Sequence, residues 1–110
     1  MHNSSTMYGR LAKISAVAGQ RDALGSLLLE ATRDMPGCLS YVVANDASDP
    51  DGLWVTEVWD NRASHAASLS LPKVREAIAK GRPLIANFSH AVETTPLGGV
   101  GLTTAATPSG

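Results

Sequence analysis

A carboxylate, an indole and an imidazole that could act together on a small molecule lie close together in the chain, at Glu57, Trp59 and His65. Glu57 and Trp59 share one face of a predicted strand, because alternate strand residues point the same way. A helix predicted to begin near Arg62 places His65 about one turn beyond its start, close to the end of the strand. These side chains around one strand-to-helix corner predict a small-molecule pocket.

The strand that carries Glu57 is predicted for residues 53–59, where β-branched and aromatic side chains dominate. Both of its faces are rich in apolar groups, which is typical of a strand in the middle of a sheet. Glu57 is the exception, because a carboxylate in an apolar row must find a partner, take up a proton or face a wet cavity. Asp60 or Asn61 then ends the strand and could cap the helix that follows.

The elements that must position this corner follow from the hydrophobic pattern along the chain. The acidic loop 46–52 joins two strands as an antiparallel hairpin. After an interruption at 81–83, Leu84, Ile85 and Phe88 are expected to continue the second helical segment as apolar anchors. The predicted order is strand, helix, strand, strand, broken helix, strand, over residues 8–18, 20–35, 38–45, 53–59, 62–80 and 89–95.

This order, β-α-β-β-α-β, predicts an α+β protein with the ferredoxin-like arrangement and an antiparallel sheet. Such a sheet carries its helices on one face only. The second face is also apolar, and a domain of this size has no further element with which to cover it. We therefore expect a homodimer that packs sheet on sheet.

Composition excludes several classes of partner. The 110 residues carry a formal charge of −1, with 44% hydrophobic and 17% charged residues, as in one ordinary globular domain. No run of Lys and Arg is present, so neither nucleic acid nor an anionic membrane is expected as a partner. No apolar run approaches the length of a membrane span.

The ends of the chain differ in composition from its middle. Residues 1–7 are polar and lack the apolar stretch of a signal peptide, so they are expected to form a disordered lead. Residues 8–99 are expected to form the folded domain, and residues 100–110 an extended or disordered tail. Cys38 is the single cysteine, which excludes an internal disulfide and fits a reducing, cytoplasmic setting.

Metal binding is not predicted. The three histidines are scattered along the chain without the short spacing of a ligand pair. Asp46, Asp49 and Asp51 cluster in one loop but lack the ordered spacing and closing Glu of a calcium-binding EF-hand, so a solvated turn is the better interpretation. Cys38 is expected to be a small buried hydrophobe rather than a reactive thiol.

Several short motifs together resemble the antibiotic biosynthesis monooxygenase domain. They are Pro36-Gly-Cys-Leu-Ser-Tyr41, Asp49-Pro50, Glu57-Val-Trp59-Asp60 with His65 shortly after, and the later Arg82-Pro-Leu and Pro96-Leu-Gly-Gly99. The resemblance runs from about Tyr8 to Gly99. It implies a dimeric α+β barrel with a pocket between sheet and helices in each subunit. It also implies cofactor-free oxidation of quinols or polycyclic anthrones by molecular oxygen.

The family includes haem-degrading enzymes, which this chain resembles less. Those relatives use an Asn on the first strand, and alignment on the strand-ending Gly19 places Ala12 at that position. They also place their histidine farther beyond the tryptophan than His65 lies from Trp59. Haem degradation is therefore disfavoured.

A cofactor-independent monooxygenase acting on a quinol or hydroxylated aromatic is the favoured hypothesis. No glycine-rich nucleotide loop is visible, so no flavin or nicotinamide is expected. His65 is the best-placed general base, and Glu57 could orient it or act as base if burial raises its pKa. Trp59 would stack on the substrate ring. The expected hydrogen-bonding and anion-stabilising residues are Tyr41, Asn45 and Arg82.

Two other functions fit the same pocket. A non-oxidative isomerase of a small carbonyl compound would use the same base to move a proton and would need no oxygen. A binding or stress-response module would hold a small molecule without transforming it. The low aromatic content, 5%, favours the module over a specialist for polycyclic substrates.

Overall fold

The computed structural model describes residues 6–102, and its elements follow the predicted order. Residues 1–5 and 103–110, most of the predicted lead and tail, lie outside the described residues. The elements are β1 (Tyr8–Ala16), α1 (Arg21–Ala31), β2 (Cys38–Asn45), β3 (Gly52–Trp59), α2 (Arg62–Ser68), α3 (Pro72–Gly81), a 3₁₀ turn (Arg82–Leu84) and β4 (Ile85–Thr94).

The four strands form one antiparallel sheet in the order β2-β3-β1-β4, which confirms the predicted ferredoxin-like α+β fold and the β2–β3 hairpin. As predicted, β3 lies in the interior of the sheet. Its alternate residues Leu53, Val55 and Trp59 are buried on the face that carries the helices, here called the helix-side face. Glu57 falls in the same row, as strand alternation requires.

Two clusters of buried side chains hold the helices on this face. The first joins α1 to the middle of the sheet through Leu24, which is 1% exposed, and Leu53. The second surrounds the end of β3 and consists of Tyr8, Met35, Trp59 and Val74. Burying one such aliphatic side chain contributes about 1.5–3 kcal/mol. Among the described residues, no helix is long and apolar enough to cross a membrane.

The end of the first strand and the start of the last strand differ from the prediction. The predicted strand 8–18 ends at Ala16, because the next residue turns away and donates its backbone N–H to the 3₁₀ turn. The last strand, predicted for 89–95, begins earlier, at Ile85, because Ile85 pairs with Ala16. Phe88 therefore lies in β4 and is 62% exposed, rather than anchoring a helical segment.

The first helix, predicted for 20–35, ends at Ala31. The Thr32 hydroxyl donates to the Leu28 carbonyl at 2.7 Å, a local bond that competes with continuation of the helix. Asp34 then adopts a positive φ of 54°, which reverses the chain before β2.

The face opposite the helices, here called the open face, carries an apolar row across all four strands. Val42, Thr56, Leu11 and Val92 are aligned by the strand register. Val42 and Val92 are 52% and 51% exposed. The prediction of a sheet with helices on one face is confirmed, and an apolar surface remains on the other.

Candidate functional site

The strand-to-helix corner is fixed by a cap and a close backbone contact. Asn61 is the residue that caps α2, and its side-chain oxygen accepts from the Ser64 N–H at 2.9 Å. Gly37 packs directly beneath this first turn with a φ of +83°, and a Cβ there would lie 2.4 Å from the Ser64 hydroxyl. α2 is thereby held so that His65 turns back toward Trp59, with ring centroids 5.5 Å apart.

Replacement of Asn61 by Ala is expected to lower the free energy of unfolding by about 1 kcal/mol, because the first turn of α2 loses its cap. Urea denaturation followed by tryptophan fluorescence measures this loss. Asn61→Asp keeps an acceptor oxygen and serves as the matched control. Equal stability of Asn61→Ala and the native protein would show that the cap does not hold the corner.

Glu57 has found partners rather than a wet cavity. The Trp59 indole N–H donates to Glu57 Oε1 at 2.9 Å, and His65 Nε2 lies 3.9 Å from the same oxygen. Arg10 Nε lies 3.9 Å from the other carboxylate oxygen, Oε2. The Glu57 side chain is only 13% exposed. The carboxylate is thus surrounded by an indole, an imidazole and a guanidinium.

These partners follow from strand register. Tyr41 and Arg10 both pair with Glu57, and Glu93 pairs with Arg10, so the four side chains form one row across the helix-side face. This places Tyr41 on the same face as Trp59, which the sequence left undecided. Burial raises the pKa of the Tyr41 phenol, so this hydroxyl stays neutral and can act as a hydrogen-bond donor.

Tyr8 links this row to a second ion pair. Its ring is 5% exposed and lies 5.3 Å from the His65 ring. Its hydroxyl donates to Glu93 Oε2 at 2.6 Å and accepts from Arg10 Nη1 at 3.2 Å. The Arg62 guanidinium lies 4.5 Å above the Tyr8 ring and pairs with Glu93 at 3.0 Å. Hydrogen bonds from Arg62 and Tyr8 lower the pKa of Glu93 to about 2.

A cavity of about 430 Å³ adjoins this second ion pair. Tyr8, Arg62 and Glu93 form part of its wall together with residues just before β1 and at the end of β4. Tyr8 also contacts the His65 ring, so this side chain borders both the cavity and the imidazole.

The imidazole of His65 can act as a neutral base. Burial lowers the pKa of its imidazole, and the nearby Glu57 carboxylate opposes that shift without cancelling it. Since the ordinary histidine pKa is about 6.5, the imidazole is mostly uncharged at neutral pH. A neutral imidazole accepts a proton, and the Glu57 carboxylate then lies beside the charge that forms.

Acidification is expected to destabilise the fold through His65. Its folded-state pKa is below its unfolded-state pKa, so the unfolded chain binds a proton first as the pH falls. The free energy of unfolding therefore decreases from about pH 7 down through the folded-state pKa. Urea midpoints measured between about pH 7.5 and pH 5 should fall more for the native protein than for His65→Gln. An identical fall in both would contradict this assignment.

Two predicted site residues lie elsewhere. Asn45 pairs with Leu53, four residues before Glu57, and so stands roughly 13 Å along the strand from the carboxylate. It borders a different depression, beside α1. Arg82 is exposed in the 3₁₀ turn and borders a depression between α2 and α3. Neither residue is brought to His65.

The structure adds residues to the site that the sequence did not indicate. Arg10, Tyr8 and Glu93 reach the corner only because β1 lies between β3 and β4, and Arg62 joins them from the start of α2. A signal for the first of these was present, since Arg10 interrupts the face of β1 that also carries Ile14. The sequence pattern does not reveal the strand order that places Arg10 opposite Glu57.

The aspartate loop is explained by ion pairing on the open face. Lys13 Nζ lies 3.2 Å from Asp46 and 3.1 Å from Asp49, and the Trp54 indole N–H donates to Asp46 at 2.8 Å. Within residues 6–102, no group of three or more His, Cys, Asp or Glu is arranged to hold a metal ion. Cys38 is partly buried, and burial raises the pKa of its thiol.

A family comparison agrees with this geometry. The model of the family described as antibiotic biosynthesis monooxygenase matches residues 7–80. These residues include β3 and α2, which form the corner, and also β1. The chain belongs to the antibiotic biosynthesis monooxygenase family. The monooxygenase-family match contains Arg10, Glu57 and His65, whereas Arg82 and Glu93 lie beyond it.

Two solved structures named as candidate antibiotic biosynthesis monooxygenases are similar to this chain. One, from Chloroflexus aurantiacus J-10-fl, is 58% identical with a TM-score of 0.87, covering 89% of this chain and 100% of that one. The other, from Deinococcus radiodurans, is 30% identical with a TM-score of 0.70, covering 84% and 95%. An uncharacterised Synechocystis sp. protein is 33% identical over 64 residues, and the match spans 58% of this chain and 44% of that protein.

Proposed function

We propose that this protein is a monooxygenase that oxidises a quinol or another hydroxylated aromatic with molecular oxygen and without a cofactor. Family membership and the monooxygenase names of its structural relatives support a monooxygenase-type activity. The observation that carries the finer proposal is the His65–Glu57 pair, a neutral imidazole 3.9 Å from a carboxylate and enclosed by aromatic rings.

The reaction begins with proton transfer. His65 takes the proton of a substrate hydroxyl, and Glu57 stabilises the imidazolium that forms. The substrate anion is electron-rich enough to reduce O2 directly. One oxygen atom enters the product and the other leaves as water, and the substrate supplies all the electrons. The protein's task is therefore to create the anion, hold it and keep bulk water away.

The aromatic residues have distinct tasks in this proposal. Trp59 is 1% exposed, so little of its ring is available for the stacking role predicted from the sequence. It instead fixes Glu57 by its N–H bond and holds His65 edge-on. Tyr41 offers a neutral hydroxyl on the same face. The substrate ring is then in contact with Tyr8 and His65 rather than with the indole.

We further propose that the protein works as a homodimer in the cytoplasm. Lys13 on the open face is already paired, because it binds Asp46 and Asp49. The apolar row headed by Val42 and Val92 is left for a second copy to cover. Sedimentation of the native protein should give twice the chain mass, and Val42→Asp should give the chain mass. A native monomer would refute the dimer.

An oxygen electrode tests the proposed reaction. Metal-free protein is assayed against a panel of quinols and anthrones, with heat-denatured protein as the blank. Protein-dependent oxygen uptake is the expected result, with a product that has gained one oxygen atom, labelled from ¹⁸O₂, and lost two hydrogen atoms. Substrate turnover that persists under strict anaerobiosis would instead identify an isomerase. Saturable binding of a ligand that is recovered unchanged would identify a binding module.

A further inference from the structure

The Arg10 guanidinium lies inside the candidate site although no predicted role included it. Its Nε is 3.9 Å from Glu57 Oε2, and its Nη1 donates to the Tyr8 hydroxyl at 3.2 Å. Its side chain is 33% exposed, between the enclosed Glu57 and the more open Arg62. Within residues 6–102 these contacts use Nε and Nη1, so Nη2 remains for a ligand.

The charges of the site show what that ligand would be. When His65 takes a proton from a neutral hydroxyl, one positive and one negative charge appear together. Glu57 lies 3.9 Å from the imidazole and is the partner of the positive charge. The negative charge on the substrate oxygen needs a cation on the same face of the sheet as Glu57. Arg10 pairs with Glu57 across the strands and lies on that face.

We propose that Arg10 is a substrate-binding residue whose guanidinium holds the oxygen of a phenol or quinol as its anion, and that Tyr8 positions that guanidinium. This inference rests on the proposed function, because it names the group that receives the anion made by His65. The step moves one proton: an O–H bond of the substrate breaks, an N–H bond of His65 forms, and no electron is transferred.

Two other arginines, Arg62 and Arg82, do not fit this role. Arg62 uses two guanidinium nitrogens on Glu93 and covers the outer side of Tyr8, with 67% of its side chain exposed. Arg82, the residue first predicted to stabilise the anion, is exposed beside Ile78 and Leu69. Arg10 is half-buried and adjoins the carboxylate that partners the base.

Tyr8 determines the direction of the guanidinium. Its hydroxyl accepts from Arg10 and donates to Glu93, and Arg62 holds Glu93 in turn. Tyr8 therefore restrains Arg10 through a hydrogen bond while its buried ring contacts His65. A guanidinium restrained in this way forms a charge-assisted hydrogen bond to an oxyanion with little further loss of rotamer freedom.

The proposal predicts selectivity for an ionisable hydroxyl. A phenol whose anion forms readily should bind more tightly than its methyl ether, which offers no proton to His65 and no charge to Arg10. The phenolate should bind more tightly than the neutral phenol, by about tenfold or more, because its hydrogen bond to Arg10 is charge-assisted.

The test uses 4-nitrophenol, whose anion is coloured and whose electron-poor ring resists oxidation. Native protein is titrated with the dye by absorbance over a range of pH. Bound dye should ionise at a lower pH than free dye, by about one pKa unit for a tenfold preference for the anion. Arg10→Met should remove that shift and weaken phenolate binding about tenfold or more, whereas Arg10→Lys should keep part of it.

The controls separate this role from folding and from turnover. Arg82→Met should bind the dye as the native protein does, and urea midpoints check that Arg10→Met remains folded. Tyr8→Phe should give a smaller pH shift with the positive charge still present. Dye that binds the native protein as the neutral phenol, or not at all, overturns the proposal, as does a native-like shift in Arg10→Met. A retained shift without oxygen uptake on any quinol would refute the proposed function while leaving Arg10 in its role.

Discussion

Replacing His65 by Ala is expected to lower kcat/KM for quinol oxidation by about a hundredfold or more at neutral pH. In the proposed reaction the imidazole is the base that makes the reactive anion, and the variant leaves the substrate hydroxyl with no group to take its proton. The stability of the fold should change far less than the activity, because the His65 side chain is only one of the groups around Glu57. Initial rates of oxygen uptake measure the loss.

The pH profile distinguishes a base from a merely structural residue. For the native enzyme kcat/KM should rise with pH through an ionisation below the ordinary histidine value of about 6.5, since burial lowers the pKa of His65. In His65→Ala that limb should disappear, and added imidazole should restore part of the rate. The matched control is His90→Ala, which removes an exposed histidine on the open face. Native-like turnover in His65→Ala would remove His65 from the mechanism.

Replacing Trp59 by Ala is expected to lower the free energy of unfolding by about 3–5 kcal/mol. Trp59 is 1% exposed and is the largest fully buried side chain among the described residues. Its loss leaves a cavity in the cluster of Tyr8, Met35 and Val74, and it leaves the enclosed Glu57 carboxylate without its indole donor. The total free energy of unfolding of a domain of this size is about 5–15 kcal/mol. The variant should therefore be close to unfolding at physiological temperature.

Two further variants separate packing from hydrogen bonding. Trp59→Phe keeps much of the ring but removes the N–H bond to Glu57, so its cost should be intermediate. Trp54→Ala removes the other tryptophan, which is only partly buried on the open face, and should cost less than Trp59→Ala. Urea denaturation followed by circular dichroism measures all three, since the fluorescence signal changes with each tryptophan. Equal losses for Trp59→Ala and Trp54→Ala would contradict the position of Trp59 in the core.

Much of the fold could be predicted from local pattern. The residues of β2 and β3 are β-branched and aromatic, and turn residues mark both ends of the hairpin. The pair Asp60-Asn61 predicted the start of α2 near Arg62 correctly, because a cap acts on the turn that follows it, and Asn61 is the residue that caps it. The strand boundaries that were wrong depended on distant partners: Ile85 extends β4 because it pairs with Ala16, which sequence pattern does not reveal.

The candidate site likewise contains residues that lie close together in the chain and residues that only the strand register brings together. Glu57, Trp59 and His65 could be grouped because they lie on one strand and the helix that follows it. Arg10 and Glu93 are distant in the chain, and they join the site only through the register of β1 with its two neighbours. Asn45 was expected on the basis of its polar type, but its place in the register separates it from the corner.

The position of β1 between β3 and β4 also affects how the chain is made. The first strand to be synthesised pairs with the last, and Gly9 has no partner on that side until Thr94 has been added. At ordinary rates of synthesis this delay is on the order of 4 to 17 s. The β2–β3 hairpin is local and should form before it. During the delay one edge of β1 is open to pairing with a neighbouring chain, so the nascent chain is expected to depend on chaperones until β4 has been added.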